Sequence, residues 1–146
     1  MPIRIAVHSP ASSASLATVD AGLGEYNVAG GLFSEVCPLH VIATGPAAAV
    51  VGGAIGRTWG ECCELQQLRV SAEARDAGTG SALLGQFERT AASRGCTLMY
   101  LDTFSVQAPC FYATHGYVEV LRTTGFTGGV AKLTMHKVLT VHGTDV

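Results

Sequence analysis

The apolar residues of this chain change period near its midpoint, and that change limits the folds open to it. Residues 36–44, 48–59 and 61–71 read as strands, separated by turns at Thr44-Gly45-Pro46 and Gly60. Successive strands joined by short turns make an antiparallel meander. Over residues 78–94 the spacing becomes helical, with Leu83, Leu84, Phe87 and Ala91 on one face and Gln86, Arg89 and Ser93 on the other. Gly95 stands where a helix stops. Residues 96–103, CTLMYLDT, read as a buried strand. Reached through a crossover helix, that strand should lie parallel to the one before the helix.

The flanks extend this pattern. Ile3, Ile5 and Val7 alternate, so residues 3–7 read as a first strand. Pro10 and the serines around it supply helix-start chemistry. A helix over residues 11–27 is predicted, weakened near its end by Gly22 and Gly24 and broken by Gly30-Gly31. Gly52-Gly53 suggests a bulge. Residues 107–115 read as a short helix closed by Gly116, residues 117–122 as a strand, and residues 130–139 as a last alternating strand. The order β-α-β-β-β-α-β-α-β-β describes a mixed, mostly antiparallel sheet flanked by helices, in a single α/β domain over residues 1–146.

Composition narrows the function classes. Of 146 residues 48 % are apolar and 14 % charged, against roughly 25 % charged in average soluble chains. So little ionic surface favours apolar patches that become interfaces, and a homodimer is the expectation. The net charge is −2, and Lys and Arg are scattered, which argues against a nucleic-acid partner. No apolar run approaches the roughly 20 residues of a membrane span. The opening MPIRIAVHSP lacks the basic and long apolar regions of a secretion signal, so a cytoplasmic location is expected. Cys37, Cys62, Cys63, Cys96 and Cys110 are odd in number and lack C-x-x-C spacing, which predicts buried or half-buried free thiols. Adjacent Cys62 and Cys63 should face opposite ways. Neither Cys nor His shows metal-ligand spacing, so no metal is expected.

The sharpest local feature is Arg75-Asp76-Ala77-Gly78-Thr79-Gly80-Ser81, a turn from a strand into the amphipathic helix. Free N–H groups and the dipole at a helix start attract anions. Gly78 and Gly80 let a diphosphate approach the backbone, successive N–H groups can wrap it, and Arg75 adds a positive charge. No Gly-Lys-Ser/Thr is present, so this is not a Walker loop. Leu83 stands where a dinucleotide fingerprint needs its third glycine.

Arg75-x-x-Gly78-x-Gly80 resembles the R/Q-x-x-G-x-G/A pyrophosphate motif of the GNAT superfamily of N-acetyltransferases. A second block, LDTFSVQAPCFYATHGYVEV, resembles that family's strand, short helix and closing F-Y-x-x-x-G-Y, correctly ordered and spaced after the first. GLGEYN and VVGGAIGRTW are weaker likenesses to small bacterial members. The resemblance covers residues 22–139. Ala77 departs from the glycine of many members, Cys110 stands before the Phe-Tyr pair, and TTGFTGGV is unlike the relatives where the acceptor pocket is usually shaped.

The resemblance implies a GNAT-like sheet splayed between the fourth and fifth strands, counting residues 3–7 as the first. It implies acetyl-coenzyme A as co-substrate and direct transfer of the acetyl group to a primary amine of a small molecule. A peptide or protein amine, or a non-catalytic acyl-CoA sensor, are the alternatives. Leu68, Arg69 and Val70 would run beside the pantetheine arm, and Arg75, Asp76, Ala77, Gly78, Thr79, Gly80 and Ser81 would hold the diphosphate. Tyr112 matches the family's usual acid for the departing thiolate, and Glu64 stands where some members carry a base, with Glu61 as rival. Simple alternation would put Cys62, Glu64, Gln66 and Leu68 on one face, with Gln66 lining the acceptor side. His115, before Gly116 at a helix end, is read as meeting the terminal carbonyls. Trp59 is read as core or pocket wall.

Overall fold

The computed structural model describes residues 2–31 and 35–140. The chain divides into two compact units, Met1–Ser34 and Glu35–Val146. No helix among the described residues is long and apolar enough to cross a membrane.

The first unit is built around α1 (Ser13–Gly30). Its N-cap is Ser12, whose hydroxyl accepts the Ser15 N–H at 3.1 Å. Its C-cap is Gly31, at φ +67°, whose N–H reaches the carbonyls of Asn27 and Val28. Gly22 and Gly24 are carried inside the helix, which runs on to the predicted glycine break. The alternating residues 3–7 form no strand. Alternation supplies a face, but a strand also needs a neighbour's N–H and C=O groups, and the described part of this unit contains no other strand.

The second unit runs β1 (Cys37–Thr44), β2 (Val50–Trp59), β3 (Cys62–Val70), α2 (Thr79–Ser93), β4 (Leu98–Phe104), α3 (Pro109–Thr114), β5 (Val118–Thr123) and β6 (Lys132–Val138). The strands form one six-stranded sheet in the order β1-β2-β3-β4-β6-β5. Every neighbouring pair is antiparallel except β3–β4, parallel as the crossover helix requires. That parallel ladder has only the pairs Cys62↔Leu98, Cys63↔Met99 and Glu64↔Tyr100. Beyond Glu64 and Tyr100 the two strands part. The expected splay is present, and because residues 3–7 are not a strand it falls between the third and fourth strands.

Helix α2 covers one face of the sheet. Leu83, Leu84, Phe87 and Ala91, the residues its period marks as apolar, are all buried, over Leu39, Ala54, Cys63, Leu65, Met99 and Leu101. Burial of a side chain the size of Phe87 contributes about 1.5–3 kcal/mol. Gly56 sits beneath it: a Cβ there would overlap the Glu64 carbonyl oxygen and stand 2.8 Å from Phe87 Cζ.

Two bulges re-phase the meander. Val51 is the extra residue between β1 and β2, one position before the predicted Gly52-Gly53, because Ala43 faces Gly52 while Thr44 faces Val50. Between β2 and β3, Ile55 faces Gln67 but Gly56 faces Leu65, so Gln66 is the extra residue. This overturns the expected shared face of Cys62, Glu64, Gln66 and Leu68. After one inserted residue, Leu68 and Val70 join buried Cys63 and Leu65 on the α2 side. Gln67 and Arg69 turn to the opposite face with Cys62 and Glu64.

The cysteines are free, and Cys62 and Cys63 do face opposite ways: Cys63 and Cys96 are buried, but Cys37, Cys62 and Cys110 are exposed, not half-buried as expected.

Candidate active site

The turn after β3 builds an anion cradle. Ser71 N–H still pairs back to the Val51 carbonyl at 2.7 Å, so the preceding residue, Val70, points its backbone away from β2. Its carbonyl instead accepts Arg75 Nε at 3.1 Å. The chain reverses through Asp76, at φ +64°, and Gly78, at φ +76°. Gly78 is the N-cap of α2, and the first helical bond runs from Ala82 N–H to the Gly78 carbonyl at 3.0 Å. The N–H groups of Thr79, Gly80 and Ser81 therefore lack intrahelical acceptors and point out of the helix start. Nothing lies within 4 Å of where a Gly78 Cβ would stand.

A groove of about 420 Å³ opens along this turn, lined by Leu68, Val70, Ala74, Arg75, Asp76, Gly78, Thr79, Gly80, Ser81, Ala108 and Phe111. Eight of the residues singled out in the sequence thus meet in one place. Ala77 stands outside its wall. Apolar Leu68, Val70 and Phe111 at one side and free N–H groups with Arg75 at the other suit a ligand with an apolar arm and an anionic centre. No protein atom occupies the space that a side chain at Gly78 would enter, so an anion can approach the backbone there.

A second cavity, of about 370 Å³, occupies the gap between β3 and β4. Gln66, Gln67, Leu68 and Arg69 line one wall, Asp102 and Thr103 the other, and Gln107 and Ala108, just before α3, close it together with Tyr112 of α3. Arg69 belongs to this cavity, not to the groove at the start of α2. Leu68 belongs to both, and alternation turns its peptide groups, like the Val70 carbonyl, into the gap.

Tyr112 projects from a six-residue helix and is 9 % exposed. Its ring packs edge-on against Phe111 and Tyr117, with centroids 5.3 and 5.7 Å away. Burial alone pushes its phenol above the ordinary value. Behind it, Tyr117 donates to Glu88 at 3.0 Å, and Lys137 reaches the other Glu88 oxygen at 2.9 Å, tying α2 to β6. Burial and the Glu88 carboxylate push the Tyr117 phenol far up, so it stays a donor.

Glu64 lines neither cavity. It stands at the last paired rung of β3 and β4, on the face away from α2, and accepts Arg57 Nε at 3.0 Å. In register the row continues through Tyr100 to His136, whose rings lie 6.4 Å apart at 64°. Two residues along β4, Asp102 accepts the Thr134 hydroxyl at 2.6 Å and faces Lys132 at 3.5 Å. The sequence reading missed this polar row. The Arg57–Glu64 pair was findable, because Trp59 and Cys62 face each other across a two-residue turn and fix the hairpin register. His115 corrects an expectation: its ring Nε2 lies 3.0 Å from Ser81 Oγ on α2, not on the carbonyls of its own helix. Trp59 is half-buried.

A family model described as an acetyltransferase (GNAT) domain matches residues 38–119, more than half of the chain. The chain belongs to the GNAT acetyltransferase family. This GNAT chain is 37 % identical to a blasticidin-S acetyltransferase of Streptomyces morookaense over 87 residues, 57 % of this chain and 64 % of that enzyme, so the match spans less than two thirds of the relative's length. An acetyltransferase from Bacillus cereus shares the fold with a TM-score of 0.75 at 25 % identity, over 92 % of this chain and 98 % of that one. An aminoglycoside 6′-N-acetyltransferase complexed with coenzyme A gives a TM-score of 0.61 at 21 % identity, over 70 % of this chain and 73 % of that one.

Proposed function

We propose that this chain transfers the acetyl group of acetyl-coenzyme A to a primary amine of a small molecule. The observation that carries the reading is that two neighbouring spaces share walls. The groove at the start of α2, with its free N–H groups and Arg75, lies next to the gap between β3 and β4: Leu68 and Ala108 are walls of both, and Tyr112 lines the gap. A coenzyme whose diphosphate lay on the helix start would extend its pantetheine arm into that gap. The blasticidin-S acetyltransferase relative supports a small antibiotic-like amine as the acceptor.

When bound, acetyl-coenzyme A supplies an acyl carbon activated by a thiolate leaving group. The residues of the chain do the rest. N–H groups of Thr79, Gly80 and Ser81, with Arg75, hold the diphosphate. Asp76 and Ala77 shape the turn that presents them, and Arg69 and Val70 flank the arm. The Leu68 peptide groups face the thioester oxygen and stabilise charge developing there. Glu64, at the last β3–β4 rung and off the cavity wall, takes the amine proton through bridging water, while its partner Arg57 holds the carboxylate in place. As the C–N bond forms and the C–S bond breaks, Tyr112 gives its proton to the sulfur. No metal takes part in this scheme.

The test is acetyl transfer to a panel of small amines, including nucleoside-type antibiotics and polyamines, comparing wild type with Tyr112→Phe. Turnover by wild type and a large loss in the variant support the reading. Tight coenzyme binding without turnover of any small or peptide amine would instead make the chain an acyl-CoA sensor.

A further inference from the structure

We infer that His115 is a positioning residue for the coenzyme diphosphate, acting through the hydroxyl of Ser81; the inference rests on the coenzyme reading above. The two residues are 34 apart in sequence, yet Nε2 and Oγ lie 3.0 Å from each other. Ser81 is in the first turn of α2 and lines the diphosphate groove. His115 lines neither cavity. It caps α3, its own N–H reaching the Tyr112 carbonyl at 3.0 Å. Its ring lies against Phe111, centroids 4.7 Å apart at 56°, and Phe111 is a wall of the same groove. The imidazole is thus held on one side by an aromatic ring and aimed at a single hydroxyl.

The chemistry of that hydroxyl gives the contact its function. Ser81 has one proton to donate. If it donates to Nε2, only its lone pairs face the groove, and they repel an anion. If Nε2 carries the proton and donates to Oγ, the hydroxyl proton is free to point at a phosphate oxygen. An anion in the groove therefore selects the Nε2–H form, and a chain runs from imidazole through hydroxyl to phosphate. The nitrogen and oxygen positions are fixed by the fold; the proton follows the ligand. The same contact joins α3, which carries Tyr112, to the start of α2.

The test compares two acyl donors: acetyl-coenzyme A, and S-acetylpantetheine, which lacks the diphosphate. His115→Ala should raise KM for acetyl-coenzyme A about three- to tenfold, the effect of losing the one neutral hydrogen bond that orients the Ser81 hydroxyl. It should leave kcat, the KM of the acceptor and kcat/KM for S-acetylpantetheine within about twofold. His115→Gln, whose amide nitrogen can reach Oγ, should recover most of the loss. Equal losses on both donors, no loss on acetyl-coenzyme A, or no rescue by glutamine would overturn the inference. A wild-type chain that binds no coenzyme at all would remove the coenzyme reading, and this inference with it.

Discussion

Arg75 Nε donates to the carbonyl of Val70 at 3.1 Å, so the basic residue of the turn is anchored to the end of the strand it follows. The anchor uses one of its five donors and leaves both terminal nitrogens for a phosphate. Arg75→Ala should raise KM for acetyl-coenzyme A about 10- to 100-fold with kcat little changed, the range expected for losing hydrogen bonds to a charged group. Arg75→Lys should recover only part, because an ammonium cannot hold the carbonyl and the phosphate in one planar fork. Steady-state kinetics with acetyl-coenzyme A as the varied substrate checks both.

The two glycines of the turn should respond differently to alanine. Gly78 is at φ +76°, so Gly78→Ala should cost about 1–2 kcal/mol of stability from backbone strain alone. Gly80 has no such φ, and a Cβ there would meet Phe111 at 3.6 Å, an ordinary contact. Gly80→Ala should therefore match wild type or exceed it by up to about 1 kcal/mol, since alanine restricts the unfolded chain at a position whose helical backbone it tolerates. Urea denaturation of the two variants measures the contrast.

On the proposed mechanism, Tyr112 should set an alkaline limit on turnover. Its phenol must be protonated to act as an acid, and burial holds its pKa above the ordinary 10.0. The active form is thus complete at neutral pH and is lost only as pH rises through that raised value. The kcat profile should show no descending limb below about pH 10. Tyr112→Phe should lower kcat about 100-fold and remove the limb, while the fold, read by circular dichroism, is unchanged.

Thiol reactivity should separate the cysteines by burial. Burial, aided by nearby Cys96, pushes the Cys63 thiol up to about 12. Burial also raises Cys96, whose thiol points at the Cys62 carbonyl at 3.5 Å. Both should remain unreactive thiols at pH 8, while exposed Cys37, Cys62 and Cys110 react. An aromatic disulfide reagent should release colour from three thiols in the native chain and from the remaining two only after unfolding.

The elements of the second unit were legible because each carries its own local signal. Leu83, Leu84, Phe87 and Ala91 keep helical spacing, Gly95 and Gly116 end their helices, and the crossover helix dictates the parallel β3–β4 pair. Features that depend on a partner were less legible. Ile3, Ile5 and Val7 alternate without forming a strand, since pairing belongs to two segments and not to one. The extra residue Gln66 shifts the faces of β3 with no mark in its composition, and so moved Leu68 and Arg69 relative to expectation. The turn into α2 was visible because glycines at fixed spacing suffice to define it. The Ser81–His115 contact was not, because only the tertiary fold brings those residues together.

The most direct test of the central claim is to follow the backbone amides of Gly78, Thr79, Gly80 and Ser81 by nitrogen-15 NMR while titrating coenzyme A, with pantetheine as control. The account predicts large, saturable shifts at these amides with coenzyme A and small ones with pantetheine. Saturable coenzyme binding that moves amides elsewhere and leaves these in place would contradict it.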